Sequence, residues 1–248
     1  MRILPRALRV RASLALAAVL VCGTALAQEA VIRKNLAERL PTLPKIDEIR
    51  ATPIAGVFEV RFGGTEIIYT DATGDHVFAG AALIETKTRT DLTEARINKL
   101  LEIDFDKLPI KDAVVFKQGT GARKMAVFVD PNCGYCKRFE RDIAGMKDIT
   151  IYTFLVPILG ADSATKSRDI WCAKDAPRAW RAWMLDNVVP PKSAAACDSA
   201  AIERNLEFSK RNRINGTPVT LLEDGSRKVG AVPVDALEKL LAALAKKS

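Results

Sequence analysis

Apolar positions along the chain fall into two stretches of different rhythm. Between Ala30 and Leu40 they recur with helical spacing, and Pro41 and Pro44 stop the run. Ile46–Thr52, Gly56–Arg61 and Glu66–Thr70 then alternate as strands do, and Asp71-Ala-Thr-Gly74 forms a turn before His76-Val-Phe78. Residues 28–88 thus read as a small α+β unit behind one short helix. About 60 residues bury little apolar surface by themselves, so this unit is expected to lean on a partner. From Asp91 to Leu108 helical spacing returns on Leu92, Ile97, Leu100, Leu101 and Phe105, with Thr90 or Asp91 as N-cap and Pro109 beyond the end. This predicts a connector helix over 89–109, the alternative being an ordinary surface helix of one continuous domain.

The second stretch, 110–248, starts with strands at Ala113–Lys117 and Met125–Val129 around the turn Gly119-Thr-Gly121. A helix from about Cys133 to Met146 and a strand at Ile149–Leu155 follow. Residues 162–213 form a helical block. Val219–Glu223 and Arg227–Gly230 pair around Asp224-Gly225, and a helix at Val234–Ala245 closes on Leu237, Leu240, Leu241 and Leu244. The order β, β, α, β, helical insertion, β, β, α predicts an α/β sheet with helices packed on it.

Composition adds a compartment. Arg2, Arg6, Arg9 and Arg11 precede the apolar run Leu14–Val21, and Ala25-Leu26-Ala27 is a small-x-small cleavage signal, so residues 1–27 read as a secretory signal peptide. The apolar run is far below the roughly 20 residues a bilayer-spanning helix needs, which argues against an anchor and for no stable membrane insertion after cleavage. Val21 is bulky where a lipoprotein signal would carry a small residue before Cys22. Removing four arginines and no acids takes the formal charge from +8 to +4. That is mild, and no basic cluster is interleaved with aromatics, so the basic balance reads as a solvated surface rather than a nucleic-acid footprint. Cleavage also leaves Cys133, Cys136, Cys172 and Cys197, an even number in a chain bound for an oxidising compartment.

Those four cysteines admit three uses. Zinc needs about four ligands, and beside Cys-x-x-Cys the chain offers only His76, in the other domain, and two cysteines without close spacing. A Cys133–Cys136 bridge closes a very short loop and would be a poor staple, whereas Cys172 and Cys197 enclose 24 residues of the helical block and would make a good one. Reaction fits the first pair. Pro131 ends the strand and Cys133 falls at the first turn of the helix, where unpaired amides and the dipole favour a thiolate. Cys136, one turn later on the face continued by Phe139, Ile143 and Met146, stays a thiol that can attack a disulfide formed at Cys133.

Cys133-Gly-Tyr-Cys136 after a strand, Gly216-Thr-Pro218 before another, and Ile170-Trp-Cys-Ala-Lys-Asp175 in the helical insertion together resemble the DsbC/DsbG family of periplasmic thiol:disulfide interchange proteins, over essentially the whole mature chain. The resemblance implies a thioredoxin fold with a helical insertion, preceded by a small α+β dimerisation domain and a connector helix. It implies a V-shaped homodimer in the periplasm of a Gram-negative bacterium, with active sites facing a cleft, that rearranges wrong disulfides in misfolded secreted proteins and carries chaperone activity. No cofactor or metal is implied. The implied electron donor is a membrane thiol reductase of the DsbD kind. Cys133 and Cys136 match the redox pair, with Gly134, Tyr135, Thr217 and Pro218 as active-site support, Pro218 matching the family's cis-proline. By itself Thr217-Pro218 would read as an ordinary trans turn, since about 5% of X-Pro bonds in folded proteins are cis. The alternatives are a DsbG-like thiol reductase and chaperone or a DsbA-like dithiol oxidase, whose intervening dipeptides begin with proline where this chain has Gly134-Tyr135. One departure concerns the buried acid that thioredoxin carries six residues before its first active-site cysteine. Here that position is Val127. Asp130 is nearest in sequence and reads as a turn or capping group at a strand end, and His76 reads as structural.

Overall fold

A computed structural model describes residues 27–246. The proposed signal sequence falls almost wholly outside the described residues. The chain divides between Leu100 and Leu101 into two compact units.

In the first unit, helix α1 covers residues 27–39 and lays Ile32 and Leu36, one turn apart, against Ile46, Ile49, Val60 and Ile68 of an antiparallel sheet. The sheet runs in sequence order: β1 (Ile46–Ala51), β2 (Val57–Phe62), β3 (Glu66–Asp71) and β4 (Val77–Phe78). A short pair, β5 (Ile84–Glu85) with β6 (Thr90–Asp91), follows. Its two-residue strands are too brief for any periodicity to show in the sequence. Helix α2 (Leu92–Leu100) starts where the Asp91 carboxylate accepts the Glu94 amide at 2.8 Å. It is tied to its own unit. Tyr69 and Thr93 share a hydroxyl hydrogen bond of 2.5 Å, the Leu83 amide donates to Thr93 at 2.8 Å, and Arg96 donates to Glu48 and Glu59. His76 sits in the β3–β4 turn with Nδ1 2.6 Å from the Asp71 carboxylate, which that contact holds well below the usual range.

Helical spacing over 89–109 predicts a longer α2 than exists. After Leu100 the chain turns, and Asp104 caps a 3-10 turn at Phe105–Lys107 by accepting the Asp106 amide at 3.1 Å. The apolar positions there serve another partner: Ile103, Phe105 and Leu108 are buried in the core of the second unit with Phe128, Phe154 and Val219. Their spacing is compatible with a helix, yet what they face is a sheet.

That sheet has the order β11-β10-β8-β9-β7, from β7 (Val114–Gln118), β8 (Arg123–Val129), β9 (Ile149–Leu155), β10 (Val219–Leu222) and β11 (Arg227–Val229). β8 and β9 are parallel, and the other pairs are antiparallel. The sequence places β7 and β8 around one turn, but they do not pair: β9 lies between them. The turn spans the width of β9, and the Asp148 carboxylate just before that strand accepts the Thr120 amide at 3.0 Å. Gly119 adopts φ +59°, and a Cβ on it would run into that carboxylate, so the crossing depends on glycine. β8 is the central strand, with Met125, Val127 and Val129 on one face, Ala126 and Phe128 on the other, all at most 1% exposed. Helices α3 (Gly134–Ile143), α5 (Ala176–Asp186) and α7 (Val234–Ala245) contribute to the cluster on the Val127 face. On the opposite face Phe128 stacks with Phe154 at 4.8 Å and with Phe208 of α6 (Ala200–Arg211) at 5.8 Å.

The helical block comprises α4 (Ala161–Trp171), α5 and α6. Cys172 caps the C-terminus of α4 and is disulfide-bonded to Cys197, closing a loop with a sequence separation of 25 around α5. Loop closure of that size constrains the unfolded chain by about 3 kcal/mol. Cys172→Ala with Cys197→Ala is therefore expected to lower unfolding free energy by about that amount in denaturant titration. An unchanged midpoint would show that the other ties across this loop, Trp171 Nε1 to the Asp198 carbonyl and the Ser193 amide to Asp169, suffice.

Candidate active site

The site forms where β8 runs out into α3. The Cys133 amide donates to the Asp130 carbonyl at 3.1 Å, so the chain turns tightly at Pro131-Asn132 and delivers Cys133 as the N-cap of α3. Its Sγ accepts the Cys136 amide at 3.4 Å, and its thiol donates to the Thr217 carbonyl at 3.4 Å. Thr217-Pro218 is a cis peptide at the start of β10, and the Pro218 carbonyl accepts the Gly230 amide beyond β11. The structure thus brings Cys133, Cys136, Thr217 and Pro218 together from two elements 84 residues apart. Gly134 opens α3 with room for a Cβ, so packing does not demand glycine there, and Tyr135 is 68% exposed. Cys172 and Cys197 form their own bond in the helical block.

The two thiols are inequivalent. Cys136 is 1% exposed, and burial pushes its thiol far above the ordinary range. Cys133, 7% exposed, has the helix amide pointing at its sulfur.

Asp130 is engaged as an anchor. One carboxylate oxygen accepts the Asn132 amide and the Ser163 hydroxyl, both at 2.8 Å, and the other accepts the Leu159 amide at 2.9 Å. It thereby clamps the loop after β8 to the loop after β9, the capping role its position suggested. Other supports of the site leave no local signature in the sequence. Trp183 of α5 donates its indole N–H to the Pro131 carbonyl at 2.6 Å, and the Lys137 ammonium lies 3.9 Å from the centre of the same ring. Glu140 of α3 is buried as well, 4% exposed. Trp183 is simply one of several apolar residues in a helical block, and only tertiary packing reveals its target.

A cysteine pair at the start of a helix, beside a cis-proline strand in a sheet of this order, defines a thioredoxin-fold thiol–disulfide oxidoreductase. Comparison with known proteins agrees. A thioredoxin-like domain model matches residues 110–245, and a disulfide bond isomerase protein N-terminal domain model matches 23–94. A probable thiol:disulfide interchange protein DsbC of Bordetella parapertussis is 43% identical over 86% of this chain and 74% of its own length, and the Escherichia coli thiol:disulfide interchange protein DsbC is 28% identical over 88% and 89%. A crystal structure of a disulfide interchange protein from Neisseria gonorrhoeae superposes with a TM-score of 0.52 at 32% identity, covering 55% of this chain and 97% of that one. The chain belongs to the DsbC family of thiol:disulfide interchange proteins.

Proposed function

We propose that the protein is a periplasmic disulfide isomerase working through a mixed disulfide at Cys133. The observation that carries this is the placing of the Cys133 sulfur between the Cys136 amide, which favours negative charge on it, and the Thr217 carbonyl at the edge of the site. Cys133 attacks a mispaired substrate disulfide: one substrate sulfur bonds to Cys133, and the other leaves as a thiolate that attacks elsewhere in the substrate. When rearrangement succeeds, the enzyme departs unchanged. When it stalls, Cys136 attacks Cys133, the substrate leaves reduced, and a membrane thiol reductase of the DsbD kind restores the pair.

The first unit is the dimerisation domain in this reading. Phe78 on edge strand β4 is 54% exposed and Ile84 on β5 is 48% exposed, apolar surface that pairing with a second copy would cover. Two redox units in one homodimer would present apolar surface to misfolded chains and so act as a chaperone. Among the described residues no helix is long and apolar enough to cross a membrane, and the N-terminal signal would export the chain.

Acid quench and thiol labelling of Gram-negative cells making the protein should find Cys133 and Cys136 mostly reduced. A mostly oxidised pair would instead indicate a dithiol oxidase.

A further inference from the structure

The turn that presents Cys133 is gripped by a residue with no part in the chemistry. Between Asp130 and Cys133 lie Pro131 and Asn132, and the turn closes where the Cys133 amide meets the Asp130 carbonyl. Asn132 is fastened on one side. Its amide reaches the Asp130 carboxylate at 2.8 Å, and its side chain donates to Asp162 at 2.7 Å and to Ser163 at 3.0 Å, both in the first turn of α4. Proline has no amide proton, so the carbonyl is the one polar backbone group that Pro131 offers. The indole N–H of Trp183, on α5, takes it at 2.6 Å.

The indole ring is itself held from two other helices. Lys137 of α3 places its ammonium 3.9 Å from the ring centre and donates to the Asn187 side chain, at the C-terminus of α5, at 2.5 Å. Lys166 of α4 stands 4.8 Å from the same centre and pairs with Asp162, the residue that accepts Asn132. Burial, and then the Lys166 charge, lower the Lys137 ammonium below the ordinary lysine range, a cost that the attraction of the ring face offsets. Lys137 also ties back to the nucleophile, since its backbone amide donates to the Cys133 carbonyl at 3.0 Å. Trp183 therefore touches the chain two residues before Cys133 and four residues after it.

We propose that Trp183 is a positioning residue for Cys133, holding the Pro131 carbonyl against the first turn of α3 so that the Cys133 sulfur stays on the Cys136 amide. The role rests on Cys133 being the attacking thiol. Trp183 moves no proton and acts through the turn. The contact it protects, from the Cys136 amide to the Cys133 sulfur, is 3.4 Å long, and hydrogen bonds weaken steeply once their angle opens. A swing of the turn would cost the thiolate more than the thiol, because a hydrogen bond to a charged acceptor is the stronger one.

The test alkylates the reduced full chain with iodoacetamide over a range of pH and maps the modified residue by mass. Trp183→Phe keeps an aromatic face for the two lysines and loses the N–H. It should raise the pH at which Cys133 is half-reactive by about one unit, which makes alkylation about tenfold slower below that point. Trp183→benzothienylalanine, which keeps the bicyclic ring and replaces the N–H with sulfur, should give the same displacement with packing preserved, and decides the matter if the phenylalanine variant does not fold. Trp171→Phe is the control for general loosening: it too deletes an indole N–H bond to a carbonyl, that of Asp198, but one that ties the disulfide loop. Its profile should match the parent. A parent-like profile in the benzothienylalanine variant, or an equal displacement in Trp171→Phe, overturns the positioning role alone. Labelling of Cys136 rather than Cys133 in the parent chain would overturn the attacking role of Cys133, and the positioning role with it.

Discussion

Cys133→Ala is expected to reduce thiol–disulfide interchange to the uncatalysed background, a loss of several orders of magnitude, while Cys136→Ala retains attack and accumulates covalent adducts with exported proteins. The difference follows from position. Cys133 caps α3 with the Cys136 amide directed at its sulfur, whereas Cys136 is enclosed and held as a thiol by burial. In the proposed mechanism, deleting the first sulfur would remove the nucleophile, and deleting the second would remove only the exit. Non-reducing electrophoresis of trapped cell extracts distinguishes the two, with adducts in the Cys136→Ala lane and none in the Cys133→Ala lane. Adducts of equal abundance in both would dissolve the assignment.

The second large effect concerns where the redox unit begins. A fragment starting at Leu101 is expected to fold cooperatively, whereas one starting at Ile110 should be unfolded or severely weakened. Ile103, Phe105 and Leu108 are at most 8% exposed, and they pack on the Phe128 face of the sheet. Burial of each such side chain is worth about 1.5–3 kcal/mol. Losing all three removes an amount comparable with the roughly 5–15 kcal/mol that holds a whole domain together. The Ile103 amide also donates to the Gly225 carbonyl in the β10–β11 turn, so the longer fragment keeps a backbone tie as well. Denaturant midpoints compare the two fragments directly, and equal midpoints would mean that this strap contributes nothing. In sedimentation the 101–248 fragment should be a monomer that reduces disulfides but isomerises poorly; a dimer would move the pairing surface out of the first unit.

The same strap shows where sequence reading ran short. Leu92, Ile97, Leu100, Leu101 and Phe105 satisfy a helical period, and nothing in the period records that the last of them faces a different partner. The β7–β9–β8 arrangement was hidden for a related reason: a turn between two strands says nothing of a third strand inserted between them. In contrast, β10 and β11 pair around Asp224-Gly225 and α7 ends at Ala245, because local turn chemistry and a simple apolar stripe suffice. In the site, the strand-end proline and the cysteine spacing announced the thiol pair at the level of sequence. Trp183 was silent, since an indole acquires its meaning from the helix packed opposite.

The contact between the Cys133 thiol and the Thr217 carbonyl has a temporal side. A sulfur that has become a thiolate, or half of a disulfide, has no proton left to give, so Thr217 loses this donor at the moment Cys133 engages a substrate. An acceptor emptied beside a newly arrived polypeptide is available to that polypeptide's own amide, and it closes to visitors again once the thiol is regenerated. In the proposed mechanism, occupancy of the covalent bond and occupancy of this backbone anchor would be kept in step, so that a guest would be gripped at two points while bound to Cys133 and at neither after it has gone.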